Sequence, residues 1–240
     1  MQHTQLTLNC DLGEGLDAID AEIMPHIDLA NIACGGHAGT PESMTRTILL
    51  ANQHNVKIGA HPSYPDRENF GRKRLTLSTD ALFNSLLEQI TNLSTIAVKL
   101  RAPLHYIKPH GALYNDCTRS DIIKTLIAVS LKTQLPLMLL AGNTGISNAC
   151  KQAGVTLIRE AFADRRYSDE GLLIGRTQPN ALLDNIDSLR QIQQLKLGKV
   201  TTSGGLTRPL ECDSLCIHSD TAGAIETARE VRSALRSETP

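Results

Sequence analysis

The stretch Val56-Lys57-Ile58-Gly59-Ala60-His61-Pro62 is a short β-rich run that ends directly in a histidine. The same order, a strand-like run followed at once by polar or glycine-rich residues, occurs seven times along the chain. Segments with helical spacing of apolar residues lie between the runs. This alternation indicates a parallel sheet, and seven units in one domain favour a β/α barrel over an open doubly wound sheet. The runs cover residues 6–8, 29–33, 56–60, 105–107, 137–140, 155–158 and 215–217.

Helix start and stop signals support this division of the chain. Thr40 followed by Pro41 is typical of an N-cap and a first-turn proline. Ser78 is the expected cap of the next helix, and Gly154 is the expected left-handed end of a helix that begins near Thr144. Further helices are expected from about Ser120, around residues 182–192 and over residues 225–235.

The composition is that of a globular chain with a sizeable core. Hydrophobic residues make up 41% of the 240 residues and charged residues 20%, which is too little charge bias for a disordered chain. α/β barrels commonly use roughly 200 to 250 residues as one unit. We therefore expect a single barrel domain over residues 1–240.

The charge balance argues against several classes of partner. Lys plus Arg is 24 and Asp plus Glu is 25, so no long-range field would gather nucleic acid or anionic lipid. Aromatic residues are only 3%, and no Trp is present to stack on single-stranded bases. The first residues lack a signal-peptide pattern, and no apolar run approaches the roughly 20 residues that span a bilayer. The expectation is a cytoplasmic protein that binds a small molecule, with no nucleic acid and no membrane as partner.

Residues with catalytic or ligating side chains follow the strand-like runs. The carboxyl ends of parallel barrel strands share one face, so we expect these side chains to meet at one mouth. They are Asp11 and Glu14 after the first run, His37 after the second, His61 after the third, Lys108 and His110 after the fourth, Glu160 and Asp164 after the sixth, and His218 and Asp220 after the seventh.

Asp11, His37 and His61 supply one carboxylate and two imidazoles. This set suits a divalent metal ion and leaves coordination positions open for water or substrate. Their spacing is not a metal fingerprint, and the histidines could instead hydrogen-bond substrate or neighbouring carboxylates. Both interpretations stay open at the level of the sequence.

Two charged segments lie near the expected mouth. Residues 160–167 contain two acids and two arginines, and Arg165 suits planar recognition of a carboxylate or phosphate, although a solvated loop is the alternative. Residues 66–74 form a charged loop that is either a lid or plain surface. The sequence has no P-loop, dinucleotide or serine-hydrolase motif. Any phosphate would therefore be held by backbone amides together with Lys108 or Arg165.

Six blocks of this sequence resemble the lactam-utilisation (LamB/YcsF) family. They run in order from about Leu8 to Ala224, and so many multi-residue matches make coincidence implausible. The blocks are Asn9-Cys10-Asp11-Leu12-Gly13-Glu14, residues 31–35, His37-Ala38-Gly39, residues 59–66, residues 108–115 and residues 160–167.

The resemblance implies a distorted seven-stranded β/α barrel, similar to the barrels of glycoside hydrolases and polysaccharide deacetylases. The family activity is that of the A subunit of the ATP-dependent 5-oxoprolinase, which cleaves 5-oxo-L-proline to L-glutamate with ATP hydrolysis. It implies ATP as cofactor, a lactam substrate, and a complex with partner subunits B and C. Two other functions stay open: a metal-dependent deacetylase or amidohydrolase that works alone, and a non-catalytic subunit that binds the lactam or assembles partners.

The resemblance also suggests roles for individual residues. The reacting centre is expected to contain Asp11, His37, His61 and Glu160, with His110 and Asp164 orienting these groups. Anionic groups of the substrate or phosphate are assigned to Lys108 and Arg165, and the remaining binding residues are Glu14, Tyr114, Asn115 and Asp220.

Four positions depart from the family pattern, namely Gly36, Gly175, Ser219 and Ala222, and the first matters most. Gly36 stands where an aromatic residue is usual. The missing ring is expected to enlarge the pocket beside His37 and to alter the substrate preference.

Overall fold

The computed structural model of the chain describes residues 6–175, 178–220 and 223–236. Its strands are β1 (Thr7–Leu12), β2 (Leu29–Ala33), β3 (Lys57–His61), β4 (Leu104–Ile107), β5 (Leu137–Leu140), β6 (Leu157–Phe162), β7 (Lys199–Thr201), β8 (Thr207–Pro209) and β9 (Ser214–Ile217). All except β7 and β8 pair in parallel and close into a barrel in the order β1-β2-β3-β4-β5-β6-β9, and β9 pairs with β1. β7 and β8 form a separate antiparallel pair. The predicted seven-stranded parallel β/α barrel is confirmed.

Helices lie between the barrel strands and cover its outside. Three predicted helix ends are present: Thr40 Oγ1 accepts a hydrogen bond from Ser43 N, Ser78 Oγ accepts one from Ala81 N, and Gly154 has a φ of 69° after its helix. No helix in the described residues combines the length and apolar character needed to cross a membrane. The helices are α1 (Asp17–Ile23), α2 (Pro41–Gln53), α3 (Thr79–Lys99), α4 (Gly111–Asn115), α5 (Ser120–Thr133), α6 (Thr144–Ala153), α7 (Asn185–Lys196) and α8 (Ala224–Arg236).

The short elements α1, α4, β7 and β8 are the ones that the sequence pattern does not predict. Each is three to seven residues long, so none presents a full run of apolar periodicity. Leu182 is expected in the helix around residues 182–192. It instead lies before α7 and forms an isolated β-bridge with Arg165.

Two barrel strands extend further than their apolar runs. β1 ends at Leu12 and β6 at Phe162, so Asp11 and Glu160 lie inside strands and not after them. A charged side chain normally marks the end of a buried strand, because an isolated buried charge is costly. Here the ammonium of Lys108 lies 2.8 Å from a carboxylate oxygen of each acid, and this pairing permits their burial.

The barrel is irregular where β4 joins its neighbours. The register shifts between Ile58 and Ala60 along the β3–β4 pair, and β4 and β5 share a single aligned pair. Gly59 lies at the shift, where a Cβ atom would overlap with the ring of Tyr106. That ring is buried, and its hydroxyl donates a hydrogen bond of 2.7 Å to Asn31 Oδ1. The aromatic ring therefore fills the barrel interior against the bare backbone of β3.

Replacing Gly59 by alanine tests this packing. The added methyl group must displace a buried ring, so we expect the free energy of unfolding to fall by about 1–3 kcal/mol. Urea denaturation followed by circular dichroism measures the change. The matched control is Gly175→Ala, whose Cβ would meet nothing nearer than 3.8 Å. Equal stability of the two variants would contradict the proposed overlap.

Candidate functional site

A cavity of about 630 Å³ lies at the carboxyl ends of the barrel strands. It brings together most of the predicted site residues, although they are distant in sequence. His37, Glu160 and Asp164 do not line the cavity, but each contacts a residue that does. The predicted residues that line the cavity are Asp11, Glu14, His61, Lys108, His110, Tyr114, Asn115, Arg165 and Asp220.

Lys108 is the centre of a buried polar network beneath the cavity. Its Nζ atom lies 2.8 Å from Asp11 Oδ1, 2.8 Å from Glu160 Oε1 and 3.1 Å from Asn9 Oδ1. Burial alone would lower the pKa of Lys108, but the negative charges around it, Asp11 foremost, hold this pKa well above its usual value. The side chain is therefore a fixed ammonium whose three N–H donors are committed to the protein.

Asp11 connects this network to the histidines. Its Oδ1 atom accepts hydrogen bonds from Lys108 and, at 2.7 Å, from Asn31 Nδ2, while Oδ2 lies 3.3 Å from His61 Nε2. Burial would raise the pKa of Asp11, but the charges of His61 and Lys108 hold it well below its usual range. Asp11 is thus a carboxylate whose second oxygen lies on the histidine side of the cavity.

The network changes the expected roles of two residues. The sequence assigns Lys108 to an anionic group of the substrate, yet its N–H donors already bind Asp11 Oδ1, Asn9 Oδ1 and Cys216 Sγ. Glu160 is 0% exposed and lies below Lys108 and beside Tyr114. The carboxylate of Glu160 therefore balances the charge of Lys108 and does not itself reach the cavity.

Three histidines and Glu14 form a second, compact cluster that could hold a metal ion. One donor atom of each side chain lies within 4.8 Å of the others. His61 Nε2 is 3.0 Å from His110 Nδ1, and His37 Nε2 is 2.9 Å from Glu14 Oε1. The rings of His37 and His110 are stacked, with centroids 3.7 Å apart and planes 7° from parallel. Burial is the main cause that lowers the pKa of His37 to about 2 and that of His110 to about 3, so both rings are neutral at neutral pH.

The clustered residues overlap only in part with the metal ligand set predicted from the sequence. That set is Asp11, His37 and His61, whereas the clustered residues are Glu14, His37, His61 and His110. Asp11 Oδ1 is instead committed to the lysine network.

Glu14 reaches the histidines because the chain turns sharply after β1. Gly13 has a φ of 75°, and its N–H donates a hydrogen bond of 2.8 Å to Asp20 Oδ2 in α1. The strand pattern carries no signal for this turn apart from Gly13 itself, whose lack of a side chain permits it.

The opposite wall of the cavity contains an aspartate–histidine pair. Asp164 Oδ2 is 2.8 Å from His218 Nδ1, and the imidazole of His218 stacks on Phe162. His218 lines the cavity, whereas Asp164 lies behind it. The sequence places His218 at the shared mouth, where it is found, but assigns it no role in the site. Arg165 lies nearby, with its Nη2 donating a hydrogen bond of 2.6 Å to Ile174 O.

Arg72 lies at the rim of the cavity and was missed as a site residue. It comes from the charged loop after β3, and 56% of its side chain is exposed. Its guanidinium lies 5.2 Å from the ring centroid of Phe70 and 3.1 Å from Asp220 Oδ2. The loop thus contributes a cation to the cavity wall, a role that its charge pattern alone does not distinguish from plain surface.

The space next to Gly36 is occupied by other side chains. A Cβ atom at this position would overlap with the amide of Gln89 and lie 2.5 Å from Ser63 Oγ. Gln89 accepts a hydrogen bond from Ser63 N at 3.0 Å and donates one to Ser63 O at 2.9 Å. The space beside His37 is therefore filled by a side chain from α3, which no local sequence pattern indicates.

Comparisons with known proteins identify the family and support the fold. The LamB/YcsF family profile matches residues 6–239. The chain is 42% identical over 242 residues to the A subunit of 5-oxoprolinase from Vibrio parahaemolyticus, covering 97% of this chain and 96% of the relative. It is 38% identical over 237 residues to the A subunit of 5-oxoprolinase from Bacillus cereus, covering 95% and 94%. The crystal structure of a lactam utilization protein from Thermus thermophilus superimposes with a TM-score of 0.89, at 35% identity and 96% coverage of each chain.

Lys108→Met tests the buried network. It leaves two carboxylates without their cation, so we expect the free energy of unfolding at pH 7 to fall by about 3–5 kcal/mol. The pKa of Asp11 is lower in the folded wild type than in the unfolded chain. Asp11 therefore contributes to the free energy of unfolding above its unfolded pKa, and this contribution is lost as the pH falls. In the variant the carboxyl of Asp11 loses a cation that lowers its pKa and protonates more readily, so the deficit should shrink toward roughly pH 4.

Urea unfolding at a series of pH values measures this difference. Lys57→Met, which removes an exposed lysine at the start of β3, is the control and should change stability by no more than about 0.5 kcal/mol. A pH-independent deficit, or a loss no larger than that of the control, would show that the ion pairs do not stabilise the fold.

Proposed function

The chain belongs to the LamB/YcsF family, and on that premise we propose that it acts as the A subunit of an ATP-dependent 5-oxoprolinase. The observation that carries the proposal is the 42% identity to a protein of that name over nearly the whole of both chains. The proposed reaction converts 5-oxo-L-proline to L-glutamate, which requires water to attack the lactam carbonyl and a proton to reach the leaving nitrogen.

Asp11 is the proposed general base for the attacking water. Lys108 and Asn31 hold Oδ1, and the depressed pKa keeps the carboxylate ionised. The second oxygen remains on the cavity side, where a water between Asp11 and the lactam would lose its proton. In this account Lys108 positions Asp11 and keeps its carboxyl group ionised, and it does not contact the substrate.

His218 is the proposed proton donor to the leaving nitrogen. It lines the cavity, and Asp164 holds its Nδ1 atom at 2.8 Å. An imidazole oriented by a carboxylate is a recurrent acid–base arrangement, because the carboxylate fixes the ring and stabilises its protonated form. Asp164 then has the orienting role expected from the sequence, and His218 is the group that it orients.

The arginines at the cavity wall suit the anionic part of the substrate. 5-Oxoproline carries one carboxylate, and planar guanidinium groups bind carboxylates through paired hydrogen bonds. Arg165 and Arg72 both line the cavity. We propose that they bind the substrate carboxylate, or a phosphoryl group if the lactam is activated by phosphorylation.

The ATP-dependent step is proposed to require partner subunits B and C. The sequence contains no glycine-rich phosphate motif, and the relatives are named as one lettered subunit of an enzyme. In this account ATP is hydrolysed in the complex, and the barrel cavity performs the ring opening.

A metal-dependent hydrolase that works alone is the second candidate function. The cluster of Glu14 with three histidines favours it, because such donors suit a catalytic metal ion. The two functions differ in their requirement for ATP and partners, so the same assay separates them. A non-catalytic lactam-binding subunit would show no dependence of turnover on the cavity residues.

We expect the isolated chain to release little or no glutamate from 5-oxoproline and ATP. Addition of partner subunits B and C should produce both glutamate and ADP, since the barrel alone lacks a recognisable ATP motif. Coupled assays of the two products measure this. Rapid turnover by the isolated chain without ATP would favour the stand-alone hydrolase instead.

Asp11→Asn tests the proposed base in the reconstituted complex. The amide retains the shape of the side chain but cannot accept a proton, so kcat should fall by about 100-fold or more with a small change in KM. Asp17→Asn, at an exposed residue paired with Arg46, is the control and should leave kcat unchanged. Wild-type kcat in correctly folded Asp11→Asn would remove Asp11 from the reaction.

A further inference from the structure

Hydrogen bonds to the backbone decide which ring nitrogens of His61 and His110 carry a hydrogen. His61 Nδ1 lies 2.7 Å from the carbonyl oxygen of Lys108, and His110 Nε2 lies 3.0 Å from that of Phe70. A carbonyl oxygen only accepts, so each of these ring nitrogens carries the hydrogen. The remaining nitrogens, His61 Nε2 and His110 Nδ1, face each other at 3.0 Å, a separation that requires a proton or another cation between them.

Further acceptors surround the same point. Asp11 Oδ2 is 3.3 Å from His61 Nε2, and Glu14 Oε1 is 3.5 Å from His110 Nδ1 and 3.9 Å from His61 Nε2. Both imidazoles are buried, with side-chain exposures of 1% and 8%. Acceptors that converge in a buried place need a positive charge between them, either a shared proton or a bound cation, and the ring of acceptors around this point suits a cation.

We propose that Glu14 Oε1, His61 Nε2 and His110 Nδ1 bind one divalent transition-metal ion, such as Zn²⁺ or Co²⁺. Two imidazoles and one carboxylate form a known catalytic ligand set that leaves coordination positions open. Metal-bound histidines typically donate the other ring N–H to a carbonyl or carboxylate, and both histidines do so here. The inference rests on these contacts and does not depend on the proposed lactam reaction.

His37 is a positioning residue in this arrangement and not a ligand. Its Nε2 atom donates to Glu14 Oε1 at 2.9 Å, and its ring stacks on that of His110. It does not line the cavity, whereas Glu14, His61 and His110 all do. A carboxylate oxygen has a second lone pair, so Glu14 can accept from His37 and ligate an ion with the same atom.

The open positions of such an ion would point to the cavity, next to Asp11. A metal there would polarise a carbonyl oxygen or lower the pKa of a bound water. The site therefore offers Lewis-acid assistance for hydrolysis of an amide bond, whatever amide the cavity binds.

The test titrates the untagged, chelator-treated full chain with Zn²⁺ and, separately, with Co²⁺. We expect one equivalent by calorimetry, visible Co²⁺ absorption bands, and a melting temperature that rises with Zn²⁺ concentration. His110→Ala and Glu14→Gln should lose the Co²⁺ bands. His37→Gln should retain one equivalent and the bands but bind about 10- to 100-fold more weakly. His105→Ala, at an exposed histidine of β4, is the matched control and should bind as the wild type does.

Two results would overturn the proposal. Wild-type protein that binds neither ion and melts at the same temperature with and without Zn²⁺ would mean that a shared proton, not a metal, lies between the two histidines. Wild-type affinity in folded His110→Ala would place any bound ion elsewhere. Substrate, ATP and partner subunits are absent from the experiment, so failure of the proposed function would leave its outcome unchanged.

Discussion

The ammonium of Lys108, held between the carboxylates of Asp11 and Glu160, is the interaction on which the rest of the site depends. It joins the ends of β1, β4 and β6 across the barrel interior through two contacts of 2.8 Å. A buried ion group is tolerated only when each charge is paired and hydrogen-bonded. Asp11 is both paired and hydrogen-bonded, whereas Glu160 is balanced by the charge of Lys108 alone, and this pairing is why charged residues can lie inside two strands of the barrel.

Neutral polar side chains complete the floor of the cavity and fix the orientation of Asp11. Asn31 donates hydrogen bonds to Asn9 Oδ1 and Asp11 Oδ1 and accepts one from the hydroxyl of Tyr106. Because these hydrogen bonds hold Oδ1 of Asp11, its Oδ2 atom faces His61 and the histidine cluster. The lysine network and the proposed cation site are therefore parts of one arrangement, connected by the two oxygens of a single carboxylate.

The sequence predicts the barrel and its shared mouth because both follow from regular patterns. Strand-like runs with polar ends repeat seven times, and parallel strands bring those ends to one face. The sequence does not predict how far below the mouth a side chain lies. Glu160 follows an apolar run and resembles a mouth residue, yet it lies below the cavity. Its burial there depends on Lys108, which is distant in sequence. The sequence also does not predict which side chain fills the space that Gly36 leaves. Gln89 fills it, and this depends on how α3 packs against the loop after β3.

The central claim is that the barrel cavity binds a five-membered lactam with its carbonyl beside Asp11. A crystal structure of the chain with 5-oxo-L-proline tests it most directly. We expect the lactam carbonyl to lie next to a water that is hydrogen-bonded to Asp11 Oδ2. The substrate carboxylate should lie beside Arg165 or Arg72. Density for the lactam outside the cavity, or a bound lactam whose carboxylate faces Asp11 and whose carbonyl faces the arginines, would contradict it.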